Sequence, residues 1–381
     1  MAPYLIVFLI VIFSTYRAEK LYKRGYKYRG TIYIIISILF MSILAAIRND
    51  DIGKDIETYV IPTFNWALKY NFSEFMKIGN LESGYMIFSF IITNVFKDYH
   101  FILFFIQIII SLLIYSFAYK ERNRMPMWLV MTVFLLIIYN DTFTMMRQSI
   151  AVLLIILSYT SLKEKKYLKT ILLYVIAILF HNTAMISILG YIFIVINYSN
   201  KITKNSKIYI NIGVLVIYII CLSFYQKILY FFTFNVSLLP IRFYEYFNTE
   251  YYLDVLSISK SVLLFKIICI FISIVYNNIF KKEEKESKLI MIFLLIDLGI
   301  YISSFKLGPI MRLGYYFSYP ALLYLLPQSA KIFKKDKFNR IFSYITIIIF
   351  LFCFWFFNNI IHNESGNTYP YKSDIVINLL K

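Results

Sequence analysis

Long apolar stretches broken by short polar ones recur along this chain from Ala2 to Ile361. A helix needs roughly 20 apolar residues to cross the hydrocarbon core, and stretches of that kind return too often for a soluble core. Runs such as 102–119 do not alternate, which excludes the ~10-residue dyad pattern of a membrane β-barrel. The expected fold is all-α, a polytopic integral membrane helical bundle of about 12 transmembrane helices. Crossings are expected near 3–16, 31–47, 100–119, 127–140, 147–162, 168–180, 183–198, 208–226, 261–280, 289–305, 312–328 and 341–361. The run 84–96 is shorter, and is expected to be re-entrant or interfacial. The first run, 2–16, lacks a preceding positive region and a small-residue cleavage site, so it is expected to remain as the first helix. With no repeat, linker or soluble domain visible, 1–381 reads as a single integral membrane domain, with 48–99 and 227–260 as long extracytoplasmic loops.

Composition agrees, with 60% apolar residues and a mean hydropathy of +0.69. A net charge of +18 would suggest a nucleic-acid partner in a soluble protein. Here the basic residues fall in clusters between apolar runs, at 17–29, 120–124, 163–169, 201–207, 281–288 and 331–340, so none is expected. All six lie on one side if 84–96 does not cross, in line with the positive-inside rule, and both termini are then expected outside. Cys221, Cys269 and Cys353 lie inside apolar runs without CxxC spacing or histidine neighbours, so no disulfide framework, metal site or cofactor is expected.

This orientation leaves Arg48, Asp50, Asp51, Asp55, Glu57, Tyr59, Glu82, Tyr85, Arg147, Gln148, His181, Asn182 and Arg312 near the outer surface. A polar residue at a helix end is cheap, so each alone reads as structural; their convergence on one face points to a site. Arg147 is the one basic residue of the turn 141–147. Asp50, Asp51 and Asp55 are hard oxygen donors but form no regular acidic loop. Tyr230, Phe232, Phe243, Tyr244, Tyr246, Tyr251 and Tyr252 suit an interfacial belt better than sugar stacking. Lys266 and Asp297 are costly inside a bilayer, and read equally as functional candidates or as a structural pair with one another.

The stretch Arg48-Asn-Asp-Asp-Ile-Gly-Lys-Asp55-Ile-Glu-Thr-Tyr59 resembles the R-x-x-x-(V/I)-G-x-D-x-x-x-Y signature of EpsG-like membrane proteins of exopolysaccharide and capsule loci. Lys54 stands where that family often has a small polar residue. In order along the chain, Glu82-Ser-Gly84-Tyr85 resembles E-x-G-Y and Met146-Arg147-Gln148-Ser-Ile-Ala151 resembles R-Q-x-(I/L)-A. Phe180-His181-Asn-Thr-Ala184 is similar to F-H-x-(S/T)-A, and Arg312-Leu-Gly-Tyr-Tyr316-Phe317 to R-x-x-x-Y-F. The resemblance implies a Wzy-type polymerase in the bacterial cytoplasmic membrane. Such an enzyme joins oligosaccharide repeats carried on a polyprenyl diphosphate at the outer face, with membrane lipids, a flippase and a chain-length regulator as partners.

That chemistry requires neutralisation of a leaving diphosphate and deprotonation of an acceptor hydroxyl. Arg48, Arg147 and Arg312 are candidate diphosphate clamps, since guanidinium binds phosphate oxygens in a two-pronged geometry. Tyr59, Tyr85, Gln148 and Tyr316 join them as substrate-binding candidates, and Asp55, Glu82 and His181 are alternative bases. A lipid-linked sugar flippase would instead line a path through the membrane with charge. A membrane acyltransferase would need a histidine or arginine pair on the donor side; a sugar-chain ligase is chemically close.

Overall fold

Polar breaks in the apolar pattern become helix ends. The computed structural model describes residues 1–224, 227, 259–279, 284–304, 308–330, 337–362 and 367–379, and among them no strand occurs. Five helices are long and apolar enough to cross a membrane: Ala2–Lys23, Lys27–Ala46, His100–Lys120, Lys260–Asn278 and Phe338–Ile361. Further apolar helices, Ser83–Phe96, Met127–Ile138, Tyr167–Phe180, Asn182–Tyr198 and Asn205–Ile220, have only 10–17 residues. Length and composition therefore support five of the expected dozen crossings directly. Large apolar side chains such as Leu9, Phe13, Leu168 and Phe271 face outward, as a lipid solvent allows. The chain is a multi-pass membrane protein.

The described chain divides into two compact units, Met1–Met185 with Leu323–Lys381, and Ile186–Leu322. In the first, α1 (Ala2–Lys23) and α2 (Lys27–Ala46) form a hairpin. The helix α6 (His100–Lys120) packs on α2 and on α9 (Met146–Lys163), which pairs with α10 (Tyr167–Phe180). Of the 18 residues of α9, all but Leu157, Leu162 and Lys163 are buried, the mark of a central helix rather than an amphipathic one. Its ends are thereby fixed on every side. Thr15 ties two of these helices together, its Oγ1 bonding the Val11 carbonyl and, at 2.7 Å, the Tyr115 hydroxyl of α6.

The stretch 48–99, expected as a loop, is largely helical. A π-helical turn, Ile56–Val60, runs into α3 (Ile61–Lys69), followed by α4 (Phe72–Ile78) and α5 (Ser83–Phe96). Asn71 and Glu74 start α4 with a reciprocal capping box. Phe75 of α4 packs with Ala67 of α3 and Met86 of α5 in a small apolar cluster. That cluster holds α5, which has 14 residues and is as short as its sequence suggested. A second π turn, Phe134–Ile138, continues α7 (Met127–Val133). The other expected loop, 227–260 with its aromatics from Tyr230 to Tyr252, falls outside the described residues except at its ends.

After the helix Lys337–Trp355 and its π extension Phe356–Ile361, residues 367–373 run back over the end of α2. The Tyr4 hydroxyl donates to the Thr368 carbonyl (2.6 Å) and the Tyr371 hydroxyl to that of Leu44 (2.7 Å). Asn49 donates its N–H to Lys372 O and accepts that of Asp374 on Oδ1.

The second unit comprises α11 (Ile188–Tyr198), α12 (Lys204–Ser223), the helices Lys260–Ile279 and Glu284–Ser303, and the 3₁₀ segment Gly308–Gly314. Lys207 caps α11, donating to the carbonyls of Asn197 (3.1 Å) and Ser199 (2.6 Å). Lys266 and Asp297 form an ion pair. Gly314 lies directly against it, since a Cβ there would collide with the Asp297 carboxylate.

Candidate functional site

The site is built where the loop after α2 meets the start of α9. Gly53 has a φ of +89°, which only glycine adopts freely, and a Cβ on it would lie 2.4 Å from the Phe143 carbonyl oxygen. The motif glycine thus lets one backbone press on another. Asp55 is then delivered to the start of α9, where Met145, the residue at the cap position, provides no capping side chain. Asp55 Oδ2 accepts the Met146 N–H (3.0 Å), a carboxylate at the positive end of the helix dipole.

Arg48 is held beneath this junction at 1% exposure. Its guanidinium donates to the carbonyls of Ile52 (2.9 Å), Ala45 and Phe143 (3.3 Å), and its central carbon lies 4.3 Å from the Phe143 ring centre. Burial pushes its pKa down to about 10, which leaves it charged at neutral pH. Three backbone acceptors and a ring face consume its donors, so its geometry is that of a tie between segments.

Arg147, the second residue of α9, is also buried but is held differently. It forms an ion pair with Glu82, and its guanidinium carbon stands 4.2 Å from the Tyr59 ring centre and 5.5 Å from that of Tyr85. Tyr59 comes from the π turn and Tyr85 from the first turn of α5, so two ring faces bracket the cation. The buried Tyr85 hydroxyl bonds Thr63 Oγ1 at 3.3 Å, which fixes its ring. Arg147 Nε is buried without a hydrogen-bond partner among the described residues. A charged donor of this kind costs free energy until something accepts from it.

Glu82 stands at the start of α5, beside α10. Gly84 permits this approach, as a Cβ there would come 2.7 Å from the Leu179 carbonyl oxygen. Burial works to raise the Glu82 pKa, but the charges of Arg147 and then His181 outweigh it and hold the carboxyl below its ordinary value. Glu82 is therefore ionised, and its Oε1 also accepts the Asn182 N–H at 3.5 Å.

His181 ends α10 in extended backbone, and its Nδ1 lies 2.6 Å from Thr183 Oγ1. Gln148 is buried one residue beyond Arg147.

The first unit thus brings together Asp55, Tyr59, Glu82, Tyr85, Arg147 and His181, residues that the sequence scatters over more than a hundred positions. Asp50 and Asp51 turn elsewhere, to the Tyr99 hydroxyl (2.6 Å) and to Lys372 (3.6 Å). Arg312, exposed in the 3₁₀ segment, and Tyr316, fully buried, belong to the second unit. Sequence reasoning missed Phe143, Thr63 and the C-terminal residues around Thr368, none of which has a local signal. Thr183 stood inside the F-H-x-(S/T)-A pattern without a role of its own.

The arrangement can bind an anion: a fixed arginine at a helix start, bracketed by aromatic faces and balanced by one carboxylate. Comparison with curated proteins and with solved structures found no match. The EpsG family model matches residues 31–373, nearly the whole chain, a span that includes the motifs named above. The chain therefore belongs to the EpsG family, whose members are Wzy-like polysaccharide polymerases.

Proposed function

We propose that this protein polymerises oligosaccharide repeat units carried on a polyprenyl diphosphate at the outer face of the bacterial cytoplasmic membrane. Arg147 carries this reading: a charged side chain, aromatic-bracketed and 7% exposed, at a helix start, with an Nε–H that awaits an acceptor. The acceptor hydroxyl oxygen bonds to the anomeric carbon of the donor repeat while the bond from that carbon to the diphosphate oxygen breaks. The electron pair leaves with the diphosphate, and Arg147 neutralises the charge that develops. Glu82 holds Arg147 in place until the anion arrives, and Tyr59 is half-buried where it can face a sugar ring. The hydroxyl proton passes to a base drawn from Asp55, Glu82 and His181. Arg48 supports the site from below.

About twelve crossings with outward termini, with α5 not spanning, would place 48–99 and 227–260 outside. Flippase and chain-length regulator proteins would act beside it. Deleting the gene tests the reading, because a polymerase defect leaves single lipid-linked repeats already translocated. Those repeats should be open to a sugar-oxidising reagent that cannot enter intact cells. Repeats that accumulate but stay protected from the reagent would make the protein a transporter instead.

A further inference from the structure

Thr183 decides which nitrogen of His181 carries the proton. Its backbone N–H points at His181 Nδ1 (3.4 Å), and its hydroxyl oxygen lies 2.6 Å from the same atom. A hydroxyl can donate or accept, but a backbone amide can only donate. Nδ1 therefore offers its lone pair, and a neutral imidazole so bound carries its hydrogen on Nε2. The backbone explains why the ring is there. His181 leaves α10 at φ −159° and ψ 117°, and the 3₁₀ segment Asn182–Ser187 begins at the next residue, so Nδ1 caps the Thr183 amide of that turn as an Asp or Ser oxygen would. The ring shares its neighbourhood with Glu82, which accepts the N–H of Asn182, the residue after His181.

We infer that His181 serves the site as an Nε2–H donor to the phosphate oxygens of the lipid-linked substrate rather than as the base, and that Thr183 is the positioning residue that sets this. The inference rests on the polymerase reading of the same site. It removes His181 from the candidate bases and leaves the acceptor proton to a carboxylate, Asp55 or Glu82. It also gives the fourth position of F-H-x-(S/T)-A a physical role, because it sets a hydroxyl beside Nδ1 where a methyl of the same size would leave only the amide.

The test uses the full-length protein in cells, with polymer and lipid-linked single repeats measured against protein abundance. His181→Gln keeps an N–H near the Nε2 position without a basic nitrogen, whereas His181→Asn places its amide near Nδ1. A donor role predicts that His181→Gln retains clearly more polymer than His181→Asn or His181→Ala, which should each lose at least about tenfold. Thr183→Ser should stay within about twofold of the parent, and Thr183→Val should fall severalfold at equal abundance. The inference is overturned if His181→Gln is as inactive as His181→Ala while equally abundant, or if Thr183→Val polymerises normally. Normal polymer from His181→Ala would overturn more, since His181 would then lie outside any catalytic site. If a variant is scarce, its polymer is compared per folded molecule of that variant, and the same outcomes decide.

Discussion

Gly53 and Phe143 meet backbone to backbone, so closely that a Cβ on the glycine would stand 2.4 Å from the carbonyl oxygen. Arg48 bonds that same carbonyl, and two residues beyond Gly53 Asp55 caps α9, so one contact sets both sides of the junction. Gly53→Ala adds a left-handed alanine, about 1–2 kcal/mol, to a collision with backbone that cannot swing away. Gly25, at φ +84° with nothing within 4 Å of its Cβ position, is the control, where only the conformational cost applies. Thermal unfolding in detergent should show Gly53→Ala clearly less stable than Gly25→Ala; equal melting temperatures would mean that the contact yields freely.

Arg48 and Arg147 should fail in different ways. Arg48→Lys removes the fork that reaches three carbonyls and strands buried acceptors, a loss of roughly 3 kcal/mol or more, so abundance and melting temperature should fall together. Polymer per folded molecule should fall less. An Arg48→Lys protein with parental stability and no polymer would place Arg48 on the substrate after all.

The Glu82 pKa gives a pH dependence with a fixed sign. Held below its ordinary value of 4.5, the carboxyl contributes stability that is fully present above that value and lost as pH falls through its folded value. Glu82→Gln also leaves Arg147 buried without its counter-charge. The parent should therefore melt well above Glu82→Gln at neutral pH, and the gap should close as pH falls below the ordinary carboxyl range. A gap independent of pH would show that the side chain acts by shape, not charge.

Orientation is tested by labelling single cysteines with a membrane-impermeant reagent after Cys221, Cys269 and Cys353 are replaced. Cysteines at Lys77 and Lys97, on either side of α5, should both react from outside, and one at Lys166 should not. A split between Lys77 and Lys97 would make α5 a crossing.

How far this site could be read from sequence depends on the distance over which each residue acts. Arg147, Glu82 and Tyr85 were legible because each sits at a helix start whose polarity interrupts an apolar run. The glycines at 53 and 84 were legible as pattern, but their cause, close approach to Phe143 and Leu179, exists only in three dimensions. Arg48 is ambiguous in sequence, since a helix-end arginine looks the same whether it faces substrate or folds back onto carbonyls, as it does here. The ties from Tyr371 and Asp374 to the end of α2 span more than 320 positions and leave no periodic trace. Crossing number was read from apolar length and from the placement of basic clusters. A π turn after Val133 and a 3₁₀ turn after His181 divide runs that hydropathy treats as continuous.

Arg147 is the cation proposed to meet the diphosphate, and its conservative replacement is the most direct test. Arg147→Lys keeps a positive charge beside Glu82 but loses the two-pronged fork and much of the stacking between Tyr59 and Tyr85. In cells carrying this variant at parental abundance, polymer should drop by at least about tenfold while single lipid-linked repeats accumulate on the outer leaflet. Polymer of normal length and amount from Arg147→Lys would contradict that role, leaving the arginine as a structural partner of Glu82.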